Sequence, residues 1–289
     1  MIPLRAAASL AELRERHGGE LRGGDAGRVT HLCRVEDAGA GTLAPVLAPR
    51  FVDAAVRAHA RGASLLADAA IALDPRLAPV AAWVHPAASW ALAELLDECD
   101  APPVAATWGE GTALGPNVVL GPRVTIGARV RIDANTVIGR PGFGWAFRGG
   151  DVRAIPQLGG VAIEDDVTIG PLCTIDAGTL APTRIRRGAK LDAQVHVGHN
   201  ADIGEGCIVA AQTGFAGSVV LGRGVLVGGQ VGIADHVRVG AGARIAAKSG
   251  VIGDVPEGAV VAGYPAVPRG RWLRALARLY RDLPRRKSP

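Results

Sequence analysis

Two histidines, His199 and His236, and the glycine between them, Gly217, are the residues whose types and spacing suit proton transfer and oxyanion binding. They stand in the segments Val195-His196-Val197-Gly198-His199-Asn200, Phe215-Ala216-Gly217-Ser218 and Gly232-Ile233-Ala234-Asp235-His236. An unperturbed imidazole, with a pKa of about 6.5, is mostly neutral at cytosolic pH and can take a proton from an attacking nucleophile. A glycine beside it leaves a backbone N–H accessible to a developing negative oxygen. The four cysteines, Cys33, Cys99, Cys173 and Cys207, have no paired spacing and no evident activating base. They indicate neither a disulfide framework nor a zinc knuckle, and a reducing compartment is expected.

The segments are positioned by a repeat. From Ile185 to Val251 an aliphatic or aromatic residue returns at every sixth position: Leu191, Val197, Ile203, Val209, Phe215, Leu221 and onward, most followed by Gly or Ala. A period of six fits neither an amphipathic helix nor a half-buried strand. It is the pattern of a hexapeptide parallel β-helix, a prism with three short sides per coil, in which the large residue points inward and the small residue after it turns the corner. Residues eighteen apart then stack in neighbouring coils at about 4.8 Å. Val197, Phe215 and Ile233 share a column, which sets His199 and Gly217 in equal register and His236 one residue beyond, the histidines roughly 10 Å apart on one edge. Neither imidazole is at an inward position. For a lone exposed histidine a chance placement is an even bet; two on one edge point to a site.

The rest of the chain fits that scaffold. Its 289 residues carry 40 glycines, 4% aromatics and one Met, a composition rich in turns and poor in bulk, and the net charge is +5. No stretch approaches the roughly 18 apolar residues needed to span a bilayer. Charges at Glu12, Arg14, Glu15 and Arg16 interrupt the N-terminal segment. It is therefore not read as a signal peptide, and a soluble, cytoplasmic protein is expected. Ser9 to Arg16 reads as a short helix closed by a Ser9/Glu12 capping box. Between Val29 and Asp100 short apolar strands (Val29–Val35, Ala63–Ala67, Ala81–Val84) alternate with helical segments (Arg50–Ala60, Ala87–Glu98), ending at Pro102-Pro103. The repeat starts near Leu114, leaves the prism over Arg140–Pro156, resumes at Ile163, and shifts again by four residues between Ile175 and Ile185. Such excursions are usually tolerated loops, and they are also where solenoids place binding walls. A final coil ends in Tyr264-Pro265-Ala266, and an amphipathic helix over Gly270–Asp282 carries Arg271, Arg274 and Arg278. The expected organisation is a small α/β domain over 1–103, a β-helix over 104–268 and a basic C-terminal helix over 269–289. The tail helix is either a cap on the prism or a surface for an acidic partner.

Gly142-Phe143-Gly144, Ile155-Pro156-Gln157-Leu158-Gly159, Thr174-Ile175-Asp176, Asp192, Val197-Gly198-His199-Asn200, Gly228-Gly229 and Gly232-Ile233-Ala234-Asp235-His236 occur in one order. In these segments and in domain order the chain resembles the UDP-3-O-(3-hydroxyacyl)glucosamine N-acyltransferases of lipid A synthesis. The resemblance implies a left-handed parallel β-helix, mainly β overall, behind a small nucleotide-binding-like α/β domain. It implies transfer of a 3-hydroxyacyl chain from acyl carrier protein to the 2-amine of a UDP-amino-sugar, with no cofactor beyond the carrier's phosphopantetheine. It carries over His199 as general base, His236 as second active-site histidine, Gly217 as oxyanion donor, and Asn200, Asp192, Phe143, Gly144 and Gln157 as substrate-binding residues. The chain departs from the family where uracil is held: Pro45, Ala48 and Phe51 stand in place of a Phe, an Asn and a Tyr. The leading coils are fewer, and His196 replaces a frequent Gln.

Rival readings share the prism. An acetyl-CoA-dependent transferase leaves the Gly142-Phe143-Gly144 and Ile155–Gly159 segments unexplained. A zinc hydratase needs three converging histidines, whereas His196 and His199 are expected to diverge. A scaffold without activity is the blandest alternative. Short residues taken as outward, Ala193, Val195 and Ala211, suggest that a prism side packs on another copy, and a homotrimer is expected.

Overall fold

The computed structural model describes residues 1–23, 27–263 and 269–282, without the side chains of Arg269, Arg271, Trp272 and Asp282. The N-terminal part is a six-stranded sheet of β1 (Ile2–Ala8), β2 (Glu20–Arg22), β3 (Val29–Leu32), β4 (Thr42–Val46), β5 (Ser64–Asp68) and β6 (Ala82–His85), in the order β1-β3-β4-β5-β6-β2. The inner four strands run parallel and both edge strands antiparallel. Helices α1 (Leu10–His17), α2 (Val52–Ala60) and α3 (Ala88–Asp97) supply the layers the sheet needs on its faces. Ser9 caps α1 as expected: its hydroxyl accepts from the Glu12 N–H at 3.2 Å while the Glu12 carboxylate accepts from the Ser9 N–H at 2.7 Å. Strands β1, β2 and β4 were not legible in the sequence, because β2 has three residues and the others carry Arg, Ala or Pro in place of β-branched alternation.

From Thr107 onward the chain winds into three stacked parallel sheets of seven, eight and seven strands, most of two residues. The first strand precedes the expected start at Leu114 by one side of the prism. Every sixth-position residue from Ile185 to Val251 is inside, none more than 7% exposed. A second inward set lies two residues before each of them: Val195, Ala201, Cys207, Val219, Val225 and Val231 are all buried in the same core. Val195 is therefore not an outward residue, and of the three expected on the flank only Ala193 and Ala211 remain at the surface.

The corners are also built differently from expectation. The turn is made three residues after the inward position, by residues in the left-handed region: Gln194, Asn200, Gln212, Ser218, Gln230 and His236 all have φ between 58° and 61°. The small residue directly after the inward one has another task. A Cβ at Gly198 would lie 2.8 Å from the Phe215 carbonyl oxygen and the Ala216 carbonyl carbon in the next coil, so at this position a bare backbone lets the two coils approach.

The excursion from the prism forms a hairpin, Trp145–Arg148 against Asp151–Ala154. Its arginines fasten it to the N-terminal part: the Arg148 guanidinium lies 4.4 Å from the Trp90 ring centroid on α3, and Arg153 pairs with Asp97. At the other end of the chain, α4 (Arg269–Asp282) leaves its described side chains exposed, apart from the half-buried Leu276. The closing Tyr264-Pro265-Ala266 segment and the side chain of Arg271 lie outside the described residues. No helix among the described residues is long and apolar enough to cross a membrane.

Candidate acyl-transfer site

His199 sits at the corner after the strand His196–Val197, on the coil above Gly217. The stacking of coils brings them into contact: a Cβ added to Gly217 would lie 2.7 Å from both Cε1 and Nε2 of the imidazole. The other side of the ring is closed by the excursion. At Gly142 a Cβ would fall 2.4 Å from the His199 Cβ, so glycine alone allows the chain to cross there. His199 is held between two bare backbone positions, and the edge of the ring carrying Nε2 lies against Gly217.

The remaining ring nitrogen sets the tautomer. His199 Nδ1 is 2.9 Å from Asn200 Oδ1, an acceptor, so Nδ1 carries the proton and Nε2 keeps a lone pair. Asn200 is itself fixed by hydrogen bonds: its N–H donates to Thr183 Oγ1 at 2.8 Å, and its Oδ1 accepts from the Thr179 N–H at 3.3 Å. The Thr179 hydroxyl lies 2.9 Å from the same Oδ1 and 2.8 Å from Gln157 Oε1, its single proton serving one of them at a time. Gln157 is 9% exposed and donates onward to the Ile155 carbonyl. Asn200, expected to touch substrate, thus bonds the His199 ring directly, and Gln157, expected likewise, is linked to Asn200 through Thr179. Thr179, which links them, was missed because it lies in the four-residue shift where counting by six fails.

The Gly217 N–H is a free donor: among the described residues no carbonyl accepts it, while the Gly217 carbonyl accepts from the His236 N–H at 2.9 Å. Gly217 packs on the edge of the ring that carries Nε2, and a tetrahedral oxyanion formed there would need such a donor. His236 stacks on Asn200 and Ser218 at the left-handed corner; the residue in register with His199 and Gly217 is Asp235. The His236 imidazole is held below the ordinary value chiefly by burial and further by the positive charge of Arg50. Arg50 belongs to the segment 45–51, expected to face a nucleotide. In that segment Arg50 covers the Phe51 ring at 5.2 Å, and Pro45 and Ala48 are half-buried.

Phe143 is 77% exposed and meets Trp145 edge-on at 5.8 Å, an apolar wall beside His199. Gly144 approaches Gln157 so closely that a Cβ would lie 3.0 Å from its Nε2. Asp192 is not brought to His199. It lies one side of the prism away, exposed, and accepts from the Ala193 N–H at 2.7 Å. His196 points elsewhere, with Nδ1 2.7 Å from Thr174 Oγ1, and burial lowers its pKa. All four cysteines are free and buried, and burial pushes the Cys99 and Cys207 thiols up to about 12 and about 11. None is poised as a thiolate nucleophile.

Residues 109–140 and 182–217 match the bacterial transferase hexapeptide (six repeats) model. Over 140 residues the chain is 59% identical to the UDP-3-O-acylglucosamine N-acyltransferase of Geobacter sp. (strain M21), a match spanning 48% of this chain and 41% of that protein. The Caulobacter vibrioides (strain NA1000 / CB15N) enzyme of the same name is 55% identical over 148 residues, 51% of this chain and 44% of its own length. The chain thus spans less than half the length of these curated relatives. Among solved structures, UDP-N-acetylglucosamine acyltransferase from Francisella novicida aligns with TM-score 0.50 and 27% identity, covering 59% of this chain and 63% of that one. The Campylobacter jejuni enzyme of that name aligns with TM-score 0.50 and 25% identity, covering 63% and 75%. By its repeat and by identity over about half its length, this chain is similar to the UDP-3-O-acylglucosamine N-acyltransferases.

Proposed function

We propose that this chain is an N-acyltransferase that moves a 3-hydroxyacyl group from acyl carrier protein to the 2-amine of UDP-3-O-acylglucosamine, in the cytoplasm and as a homotrimer. The observation that supports it most is the fixed tautomer of His199, with Nδ1–H held by Asn200 and Nε2 bare beside the free Gly217 N–H. The acceptor amine attacks the thioester carbonyl carbon, and His199 Nε2 takes the amine proton as the C–N bond forms. The Gly217 N–H meets the oxyanion. Collapse breaks the C–S bond, and the imidazolium returns its proton to the departing thiolate. No covalent enzyme intermediate is required. Purified protein offered acyl carrier proteins of several chain lengths should acylate the acceptor. His199→Ala should turn over roughly 10²–10⁴-fold more slowly with its fold intact, and a wild-type rate in that variant would end the proposal.

A second acceptor is favoured by one observation: Pro45 and Ala48 offer no side-chain hydrogen bond to a uracil, and Phe51 is engaged by Arg50. Transfer to a different amino-sugar nucleotide uses the same base and donor. A panel of nucleotide acceptors in the same assay separates the two readings.

A further inference from the structure

Beside the base lies a buried charge that the proposed chemistry does not use. Asp176 is 1% exposed, yet it is ionisable and sits on the coil before His199. Arg140 Nε lies 2.7 Å from its Oδ1 and Arg140 Nη2 donates to its Oδ2 at 3.2 Å. The Nε contact is close but off the hydrogen-bond line, so Oδ1 is buried without a hydrogen bond of its own. On the far side His196 Nε2 stands 3.9 Å from Oδ2.

The pair forms where the chain leaves the prism. Ordinary strands here are two residues long, but Val137–Pro141 continues alongside Thr174–Ala177, pairing Arg140 with Asp176 and Pro141 with Ala177 after an irregularity beyond Ile138. The next residue is Gly142, the position pressed against the His199 ring. We infer that Asp176 and Arg140 are positioning residues for the proposed transfer: their ion pair, buried at the carboxylate and exposed at the guanidinium, clasps the start of the excursion so that Gly142 and Phe143 close over the face of His199. Such a pair adds little stability, since desolvating the carboxylate cancels much of its attraction, but removing the guanidinium leaves the buried carboxylate uncompensated, so the two are held together. The half-satisfied carboxylate fits a pair kept for placement. This rests on the reading of His199 as the base only for its rate prediction; the clasp itself is a statement about geometry.

The test compares Arg140→Met, Asp176→Asn and the apolar double variant Arg140→Met/Asp176→Leu, with melting temperature, amide hydrogen exchange over residues 141–147, and kcat and KM as readouts. Arg140→Met leaves a buried carboxylate uncompensated and should lower the melting temperature. It should also speed exchange at residues 141–147 about tenfold and lower kcat by on the order of 10- to 100-fold, the usual effect of misplacing a reacting group by about 1 Å. In the double variant the melting temperature should return towards wild type while kcat and exchange stay perturbed. Of the charged groups facing His196, namely Asp176, Arg140 and His199, the carboxylate alone favours the protonated ring, so Asp176→Asn should lower the pH at which that ring titrates. If kcat and exchange recover with stability in the double variant, or if exchange at 141–147 is unchanged in Arg140→Met, the inference is wrong. Because exchange needs no substrate, a protein inactive with every acyl donor but showing the exchange effect would remove the transfer reaction and keep the clasp.

Discussion

Replacing Gly217 by Ala tests the site with one methyl group. Gly217 has no positive φ, so alanine can adopt its backbone, and the effect of the change comes from where the added methyl lies. The added Cβ would stand 2.7 Å from His199 Cε1 and Nε2. Ordinary carbon contacts lie at about 3.5–4.0 Å, so the ring must retreat by roughly 1 Å or turn its Nε2 away. Gly142 blocks retreat on one side and the Asn200 hydrogen bond resists rotation. A shift of about 1 Å at a reacting atom costs on the order of 10²-fold in rate. The expected outcome is therefore a protein that folds, melts no higher than wild type and transfers acyl groups about a hundred times more slowly, the loss falling on kcat. Gly214→Ala is the control, since a Cβ there meets nothing within 4 Å. Steady-state kinetics on both variants decide the matter: wild-type kcat in a folded Gly217→Ala protein would refute the packing of Gly217 on the base.

Oligomeric state, donor docking and pH response can be measured on the same preparations. Light scattering at micromolar concentration should give the mass of a trimer, and a monomer would remove the expectation that a second subunit walls the edge site. Arg274 and Arg278 on α4 are exposed, and changing both to Glu should raise the KM for the carrier-borne donor, the difference shrinking as salt screens it. Equal KM at every salt concentration would leave α4 with no part in docking. Burial holds His196 and His236 below the ordinary imidazole value of 6.5, so the unfolded chain takes up their protons first as pH falls. Their contribution is full above that value and is lost as pH falls through their folded values. Asp176, raised from 3.8 by burial, acts in the opposite sense, its contribution fading as pH rises through its folded value. Thermal melts of a His196→Gln/His236→Gln protein, compared with wild type, should show a shallower loss of stability below about pH 6.5; superimposable curves would contradict the assignment.

Much of the scaffold was legible because a period of six has one structural solution. Inward positions every sixth residue force a three-sided coil, and coils of eighteen residues force His199 onto Gly217 whatever the rest of the chain does. The same arithmetic misplaced details that depend on corner geometry. His236 and Asn200 occupy the left-handed corner and His199 does not, a distinction carried by φ and invisible in residue types. Val195 read as a flank residue because a second inward set, two positions before the first, is hidden among Ala, Cys, Thr and Ser.

What the tertiary structure alone decided is concentrated where the period breaks. Thr174 pairs with His196 across twenty-two positions, and Arg140 meets Asp176 across thirty-six. Counting by eighteen fits neither pair: twenty-two is no multiple of it, and thirty-six would set Arg140 and Asp176 two coils apart, whereas their strands are neighbours. Thr179, Gln157 and Gly142 reach His199 only because two insertions fold back over one edge, held there by α3 and by the Arg140–Asp176 pair. The repeat determined which residues share an edge, because stacking at one spacing is a local rule. The tautomer and enclosure of the base were decided by long-range contacts, because they come from chain that has left the repeat and whose path is fixed only by what it packs against.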